Sequence, residues 1–178
     1  RLTDFENLAE FADCHLIFCV RHPASWVFGL HRRPYHIHGR PAKTLDAFLD
    51  KRRRTVGRKG LGRSKTSATM LYNRKMAAFV GLQARLKAAG LRYSVVRHED
   101  FAMDQAAVFA RLAPHLSQPA ATFRPLDAST KDQSRTRAYY QDYYGQQLWR
   151  DEIDPQSMAR IKAEIDWSLV DDLDYAPS

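Results

Sequence analysis

The chain has 178 residues, an apolar fraction of 44% and a formal net charge of +8 at pH 7. This length can bury the core of one globular domain, and no apolar run is long enough to span a membrane. The positive charge favours an anionic partner, and nucleic acid, a phosphorylated nucleotide or an acidic glycan would each fit. A solvated basic face without a specific partner is the commoner origin of such charge, so charge alone does not choose between them.

The first third of the chain predicts a strand, a charged turn and a helix. After a short helix over residues 4–12, the uninterrupted apolar run of 15–20 predicts a strand that is buried on both faces. Pro23 ends that strand, and a helix follows over 24–33. Arg21 lies in the turn, where open α/β sheets bind ligands and a helix N-terminus favours anions. It predicts a phosphate or carboxylate site, and the alternative is a salt-bridged strand end.

The two cysteines, Cys14 and Cys19, border this strand. Five residues of extended chain separate them by roughly 16 Å, which is too far for a disulfide bond. Two thiols without a histidine at ligand spacing also make no zinc site. Both cysteines are therefore predicted to be buried, small apolar residues in a reducing compartment.

Two polar segments follow the first helix. The loop over 31–41 contains His31, His36 and His38, whose spacing matches no zinc pattern, so it predicts an exposed loop or a loop near an acceptor substrate. After a short helix over 43–50, the run 51–65 carries eight basic residues and no acid, with glycines between them. Like-charge repulsion predicts a mobile loop that becomes ordered on an anion.

The rest of the chain reads as alternating helices, one strand and one loop. Residues 67–89 predict a long helix that ends at Gly90, and 91–96 predict a strand parallel to the first, because a helix that joins two strands is a crossover. The remaining predictions are a helix over 104–113, a loop over 117–131, a polar helix with an aromatic stripe over 132–149, and a last helix that starts at Asp154-Pro155.

Residues 16–33 resemble the 3′-phosphate-binding segment of sulfotransferases that use 3′-phosphoadenosine 5′-phosphosulfate (PAPS). In that family a buried strand leads into Arg-Asp/Asn/His-Pro and a helix, as Arg21-His22-Pro23 does here. The family arginine binds the 3′-phosphate, typically with a serine eight residues later. This chain has Gly29 at that position, and Ser25 is the only hydroxyl of the turn. The resemblance implies that Arg21 binds the nucleotide, with Ser25 or the Gly29 position completing the contact.

Weaker likenesses follow along the chain. The segment 97–101 stands where the family commonly has Arg-Tyr-Glu-Asp-Leu, with His98 in place of tyrosine, and its Glu99 and Asp100 are expected to be structural. A Ser/Lys/Arg phrase that includes Lys131 and Arg135 resembles one that lies close to the nucleotide in many bacterial members. The acceptor wall is then expected in the two polar loops, from the histidines at 31, 36 and 38 and from Arg54 and Arg58.

The resemblance implies a P-loop-NTPase-like sulfotransferase fold, α/β with a parallel sheet flanked by helices and a helix-rich C-terminal part. The family's phosphosulfate loop, and in many members the acceptor-activating His or Glu, precede the arginine strand and do not occur in this sequence. Residues 1–178 are therefore expected to form one domain that is incomplete at its N-terminus and is completed by an N-terminal segment or a second chain. No catalytic base is assigned.

The expected activity is transfer of a sulfuryl group from PAPS to a hydroxyl of a sugar or small metabolite, in the cytoplasm and without a metal. The basic loop favours an acidic acceptor. The alternatives are a polyanion-binding module that uses the 51–65 arm, an inactive shortened relative, or a nucleotide kinase of related fold. The first lacks aromatic residues for base stacking in its arm, and the last lacks a Walker lysine.

Overall fold

The computed structural model describes residues 7–34, 42–54, 65–116, 123–128 and 132–177. Within these ranges the chain is α/β, with a small parallel sheet and mostly helical remainder. The strands are β1 (Leu16–Val20), β2 (Arg53–Arg54), β3 (Lys65–Thr66) and β4 (Tyr93–Arg97). The helices are α1 (Pro23–Arg32), α2 (Leu45–Asp50), α3 (Ala68–Ala88), α4 (His98–Met103), α5 (Gln105–Leu112), α6 (Arg137–Gly145) and α7 (Pro155–Glu164). No helix in these ranges is long and apolar enough to cross a membrane.

The parallel pairing of the two longer strands is confirmed. Leu16 pairs with Tyr93 and Val20 pairs with Arg97, so β1 and β4 run in the same direction and end side by side. The long helix α3 lies between them in the chain, as a crossover connection requires. The turns that follow both strands therefore meet at one edge of the sheet.

The predicted burial of β1 on both faces is wrong. Phe18 and Val20 face the core and are about 5% exposed or less, whereas Ile17 is 43% exposed and Cys19 is also exposed. Successive side chains of a strand point to opposite faces, so a core on one side leaves the other residues outside. Cys14 is exposed as well, so the prediction of buried cysteines is also wrong. Neither cysteine forms a disulfide.

The main core lies between α1, α2, α3 and α7. Its centre consists of side chains that are almost fully removed from water: Val27, Phe48, Leu49, Leu71, Trp149 and Ile161. A smaller cluster joins Phe18 of β1 to Leu82 and Leu86 in the second half of α3. Burying each such side chain stabilises the fold by about 1.5–3 kcal/mol, which makes α3 the element that ties the sheet to the other helices.

Side-chain caps set the helix boundaries, and some differ from those predicted. Ser67 caps α3, and Gly90 follows it with a φ of 67°, so the predicted long helix is confirmed. Asp154 caps α7 as expected. The polar helix predicted from residue 132 begins only at Arg137, because the Thr136 hydroxyl caps its first turn. Of the predicted helix over 4–12, residues 4–6 lie outside the described part, and the rest contains a 3-10 turn over Leu8–Phe11.

The two ends of the basic run 51–65 are paired with each other, which differs from the mobile loop predicted there. Arg53 pairs with Thr66 and Arg54 with Lys65 in a short antiparallel ladder. The Arg53 guanidinium is buried, lies 4.3 Å from the Phe48 ring centroid and donates to the Phe48 carbonyl oxygen at 3.1 Å. Packing of this cation on α2 therefore fixes the base of the run, and residues 55–64 lie outside the described part.

Candidate anion-binding site

Arg21 is held at both ends directly after β1. Its Nε donates a hydrogen bond to the Ser25 hydroxyl at 2.8 Å, and Ser25 is completely buried. The Tyr72 hydroxyl of α3 donates to the Arg21 carbonyl oxygen, also at 2.8 Å. Ser25 therefore orients the guanidinium rather than facing a ligand, and the side chain of Arg21 starts from a fixed backbone.

The Arg21 guanidinium lies along α1 above Gly29. A Cβ atom at Gly29 would be 3.0 Å from Arg21 Nη1, which is tighter than ordinary contact, so glycine permits this close approach. On the other side, the guanidinium carbon is 5.3 Å from the centroid of the Tyr144 ring, at cation–π distance. The helix and the tyrosine thus hold the guanidinium between them.

Glu99 takes the N-terminus of α1, where the sequence favoured an external anion. Its Oε1 accepts from the backbone N–H of His22, the N-cap residue, at 2.9 Å, and its Oε2 accepts from the Tyr175 hydroxyl at 2.5 Å. The carboxylate satisfies the positive end of the helix from within the protein. These contacts agree with the structural role expected for Glu99, and the positive charge of Arg21 lies further along the helix.

Two adjoining cavities, of about 410 and 350 Å³, share Arg21, Arg33, Tyr140 and Tyr144 in their walls. The larger cavity also has Arg137, His98 and an apolar wall with Phe101 and Leu126, and the smaller one has Gly29, Arg32 and Arg135. Among the described residues, neither cavity is lined by an aspartate or glutamate. A wall of guanidinium groups and aromatic rings without carboxylates suits an anionic ligand.

Only some of these arginines are neutralised by neighbours. Arg32 pairs with Glu152 at 2.9 Å, and Arg135 pairs with Asp132 at 3.1 Å. In the described part of the chain, Arg21, Arg33 and Arg137 form no salt bridge. These three arginines all line the larger cavity, whereas only Arg21 and Arg33 of the three also line the smaller one.

The histidine beside the larger cavity is neutral. Burial, together with the nearby charge of Arg21, lowers the pKa of His98 to about 4. Its ring meets Tyr144 edge to face, with centroids 4.8 Å apart. At neutral pH the imidazole therefore adds no charge and can offer one donor and one acceptor nitrogen. His22, by contrast, is a core residue against Trp149, with ring centroids 4.6 Å apart.

The structure brings part of the predicted site together. Arg21, Ser25 and Gly29 form one contact group, and Arg135 lines the smaller cavity beside them. His31 instead packs on the Phe48 ring, and Arg54 is exposed on β2, so neither lines these cavities. The predicted residues Lys131, His36, His38 and Arg58 lie outside the described part of the chain.

Sequence reasoning missed Arg33 and the role of two tyrosines in the cavity walls. Tyr140 and Tyr144 belong to the aromatic stripe of the predicted polar helix, and their four-residue spacing puts both on one helix face.

No metal centre is visible in the described ranges, which contain no group of three or more His, Cys, Asp or Glu side chains that could hold an ion.

Comparison of the chain with protein-family models, with curated proteins and with solved structures gave no match. The functional argument therefore depends on the site itself.

Proposed function

We propose that this chain binds the 3′-phosphoadenosine part of PAPS and serves a sulfotransferase with a P-loop-NTPase-like fold. The observation that carries the proposal is the placement of Arg21. Its guanidinium follows a parallel strand, is oriented by Ser25, forms no salt bridge within the described residues and faces cavities without carboxylates. This environment favours binding of a phosphate by the guanidinium, because no carboxylate of the described residues pairs with it.

The larger cavity fits a phosphorylated nucleoside in size and chemistry. Its volume of about 410 Å³ lies within the common range for small-molecule sites. Phe101 and Leu126 supply an apolar wall, and neutral His98 supplies hydrogen-bonding nitrogens, both of which suit a base. Arg21 supplies charge for a phosphate, and Arg33 and Arg137 add to the positive charge of the wall.

In the proposed reaction, an acceptor hydroxyl oxygen forms a bond to sulfur while the bond between sulfur and the 5′-phosphate oxygen breaks. The hydroxyl proton is lost to a base, and adenosine 3′,5′-bisphosphate leaves. The residues of this chain act at the 3′ end of the donor, where they fix its position rather than touch the reacting sulfur. The acceptor remains proposed as a hydroxyl of a sugar or small, acidic metabolite.

The competing proposal is a polyanion-binding module that uses the 51–65 arm. Arg53 of that arm is already used inside the protein, where it stacks on Phe48 and donates to its carbonyl oxygen. The cavity proposal instead relies on a cluster of fixed shape. It therefore predicts recognition of one phosphate position, whereas the arm predicts affinity for any polyanion with a steep salt dependence.

Isothermal titration with two nucleotides tests the proposal. Adenosine 3′,5′-bisphosphate should bind at least tenfold more tightly than adenosine 5′-monophosphate, because only the first carries the phosphate that Arg21 reads. A heparin oligosaccharide and single-stranded DNA serve as polyanion probes over a range of salt concentrations. Equal affinity for the two nucleotides, with strong salt-dependent binding of both polyanions, would favour the arm and overturn the sulfotransferase proposal.

A further inference from the structure

We infer that Arg33 supplies the second cation for the nucleotide's 3′-phosphate, in place of a hydroxyl at position 29. This inference depends on the proposed function and assigns a binding role to a residue outside the Arg-His-Pro segment. It begins from a gap in the site. Ser25 is completely buried and lines neither cavity, and Gly29 has no side chain, so neither places a donor against a phosphate in these cavities.

The backbone places Arg33 next to the Arg21 guanidinium. Arg33 caps the C-terminus of α1, and its N–H donates to the Gly29 carbonyl oxygen at 3.0 Å. Four residues of helix advance about 6 Å, so Arg33 starts one turn beyond the point where Arg21 crosses the helix. Both residues line both cavities. A phosphate that contacts Arg21 in either cavity therefore lies against a wall that also contains Arg33.

The charge of Arg33 is available to a ligand. Its side chain is exposed, and it forms no salt bridge with any described residue. The Ser134 hydroxyl, and then the charges of Arg135 and Arg33, lower the pKa of Asp132, so Arg33 lies within electrostatic range of a carboxylate that already pairs with Arg135. A doubly charged phosphate is best neutralised by more than one guanidinium. Arg33 shares both cavities with Arg21, whereas Arg137 lines only the larger one.

Arg111 provides a matched control. It has the same side chain, is exposed on α5 and lines neither cavity. A general loss of positive charge would affect both positions equally, whereas a phosphate contact by Arg33 would affect only one.

The space above Gly29 explains why a hydroxyl is absent there. With Arg21 in its present position, a side chain at 29 would begin 3.0 Å from Nη1 and would push the guanidinium away by a few tenths of an ångström. Glycine at position 29 therefore allows Arg21 to pack closely on α1, but it leaves this position without a hydroxyl donor. Arg33, one turn further along the same helix, supplies a donor instead.

The test compares Arg33→Ala and Arg33→Gln with Arg111→Ala by titration with adenosine 3′,5′-bisphosphate and adenosine 5′-monophosphate. Both Arg33 variants should lose about tenfold or more in affinity for the bisphosphate and little for the monophosphate. Arg111→Ala should leave both affinities within twofold.

The outcomes separate this inference from the proposed function. If both Arg33 variants keep the wild-type preference while Arg21→Ala loses it, the 3′-phosphate site stands and the role of Arg33 is wrong. If Arg111→Ala weakens binding as much as Arg33→Ala, the effect is general electrostatics and the assignment is also overturned. If the wild-type chain shows no preference, the proposed function fails, and the inference fails with it. Circular dichroism and urea unfolding of each variant identify any that are misfolded.

Discussion

Acidification should destabilise the fold through His22, which is buried among aromatic rings. Its ring lies 4.6 Å from that of Trp149 and 5.3 Å from that of Tyr175, and burial, followed by the charge of Arg150, lowers its pKa from 6.5 to about 4. The unfolded chain therefore binds a proton here more readily than the folded protein does. The stability that the neutral ring provides is complete above about pH 6.5 and is lost as the pH falls towards 4.

The size of this effect follows from the two pKa values. The difference between 6.5 and about 4 corresponds to about 3 kcal/mol of unfolding free energy at pH 4, at 1.36 kcal/mol for each pH unit. His22→Phe keeps a ring in the same space and leaves the backbone N–H that donates to Glu99. The variant should therefore lose about 3 kcal/mol less than the wild type between pH 7 and pH 4.

Urea unfolding at several pH values measures this difference directly. Other titrating groups, such as Asp154 with its lowered pKa, act in both proteins, so the difference between their pH profiles isolates His22. Parallel profiles for wild type and His22→Phe would refute the reasoning, because they would show that His22 is protonated in the folded protein without cost.

Substitutions at four further positions test the fold. Glu99→Ala should lower the free energy of unfolding, measured in urea, by about 3 kcal/mol. Glu99→Gln should lower it by about 1 kcal/mol, since the amide can still bond to the Tyr175 hydroxyl. Equal losses would show that the carboxylate matters little. Gly90→Ala should lower the free energy of unfolding by about 1 kcal/mol, because the φ of Gly90 is 67°. Gly81→Ala inside α3 should raise it by about 1 kcal/mol, since nothing lies within 4 Å of the new methyl group. The reverse order would contradict the described backbone. Arg160→Met, which removes one cation from three carboxylates, should cost about 1 kcal/mol at low salt and less at high salt, and a loss unaffected by salt would point to packing instead.

The local sequence pattern was sufficient to predict the strand, turn and helix of residues 16–32, but it carries no information about which elements pack against them. Every position of β1 is apolar, so the sequence could not distinguish a core on both faces from a core on one. The structure places Phe18 on the covered face and Ile17 on the open one. Which face is covered depends on where α3 packs, and that information lies far along the chain.

Short elements were also beyond sequence reasoning. The helix α4, His98–Met103, has only six residues, fewer than a helical period needs to become visible. Its Glu99 was expected only to be structural, and the structure shows that its carboxylate reaches across the sheet edge to the N-cap residue of α1. That contact joins residues far apart in sequence, which no local signal reports.

The candidate site divides in the same way. Arg21 could be identified because its position after a strand is fixed by the local sequence. The direction of its guanidinium could not, because Ser25 and Tyr144 determine it in three dimensions. Arg33 was missed for this reason: its importance appears only once Arg21 is seen to lie along α1 towards it.

The measurement that tests the central claim most directly is the nucleotide titration of Arg21→Ala, with exposed Arg111→Ala on α5 as the matched control. The ratio of affinities for adenosine 3′,5′-bisphosphate and adenosine 5′-monophosphate is the quantity to compare. A ratio of at least tenfold in the wild type and in Arg111→Ala, reduced to about one in Arg21→Ala, is the result that the account predicts. A ratio that stays the same when Arg21 is removed would contradict it.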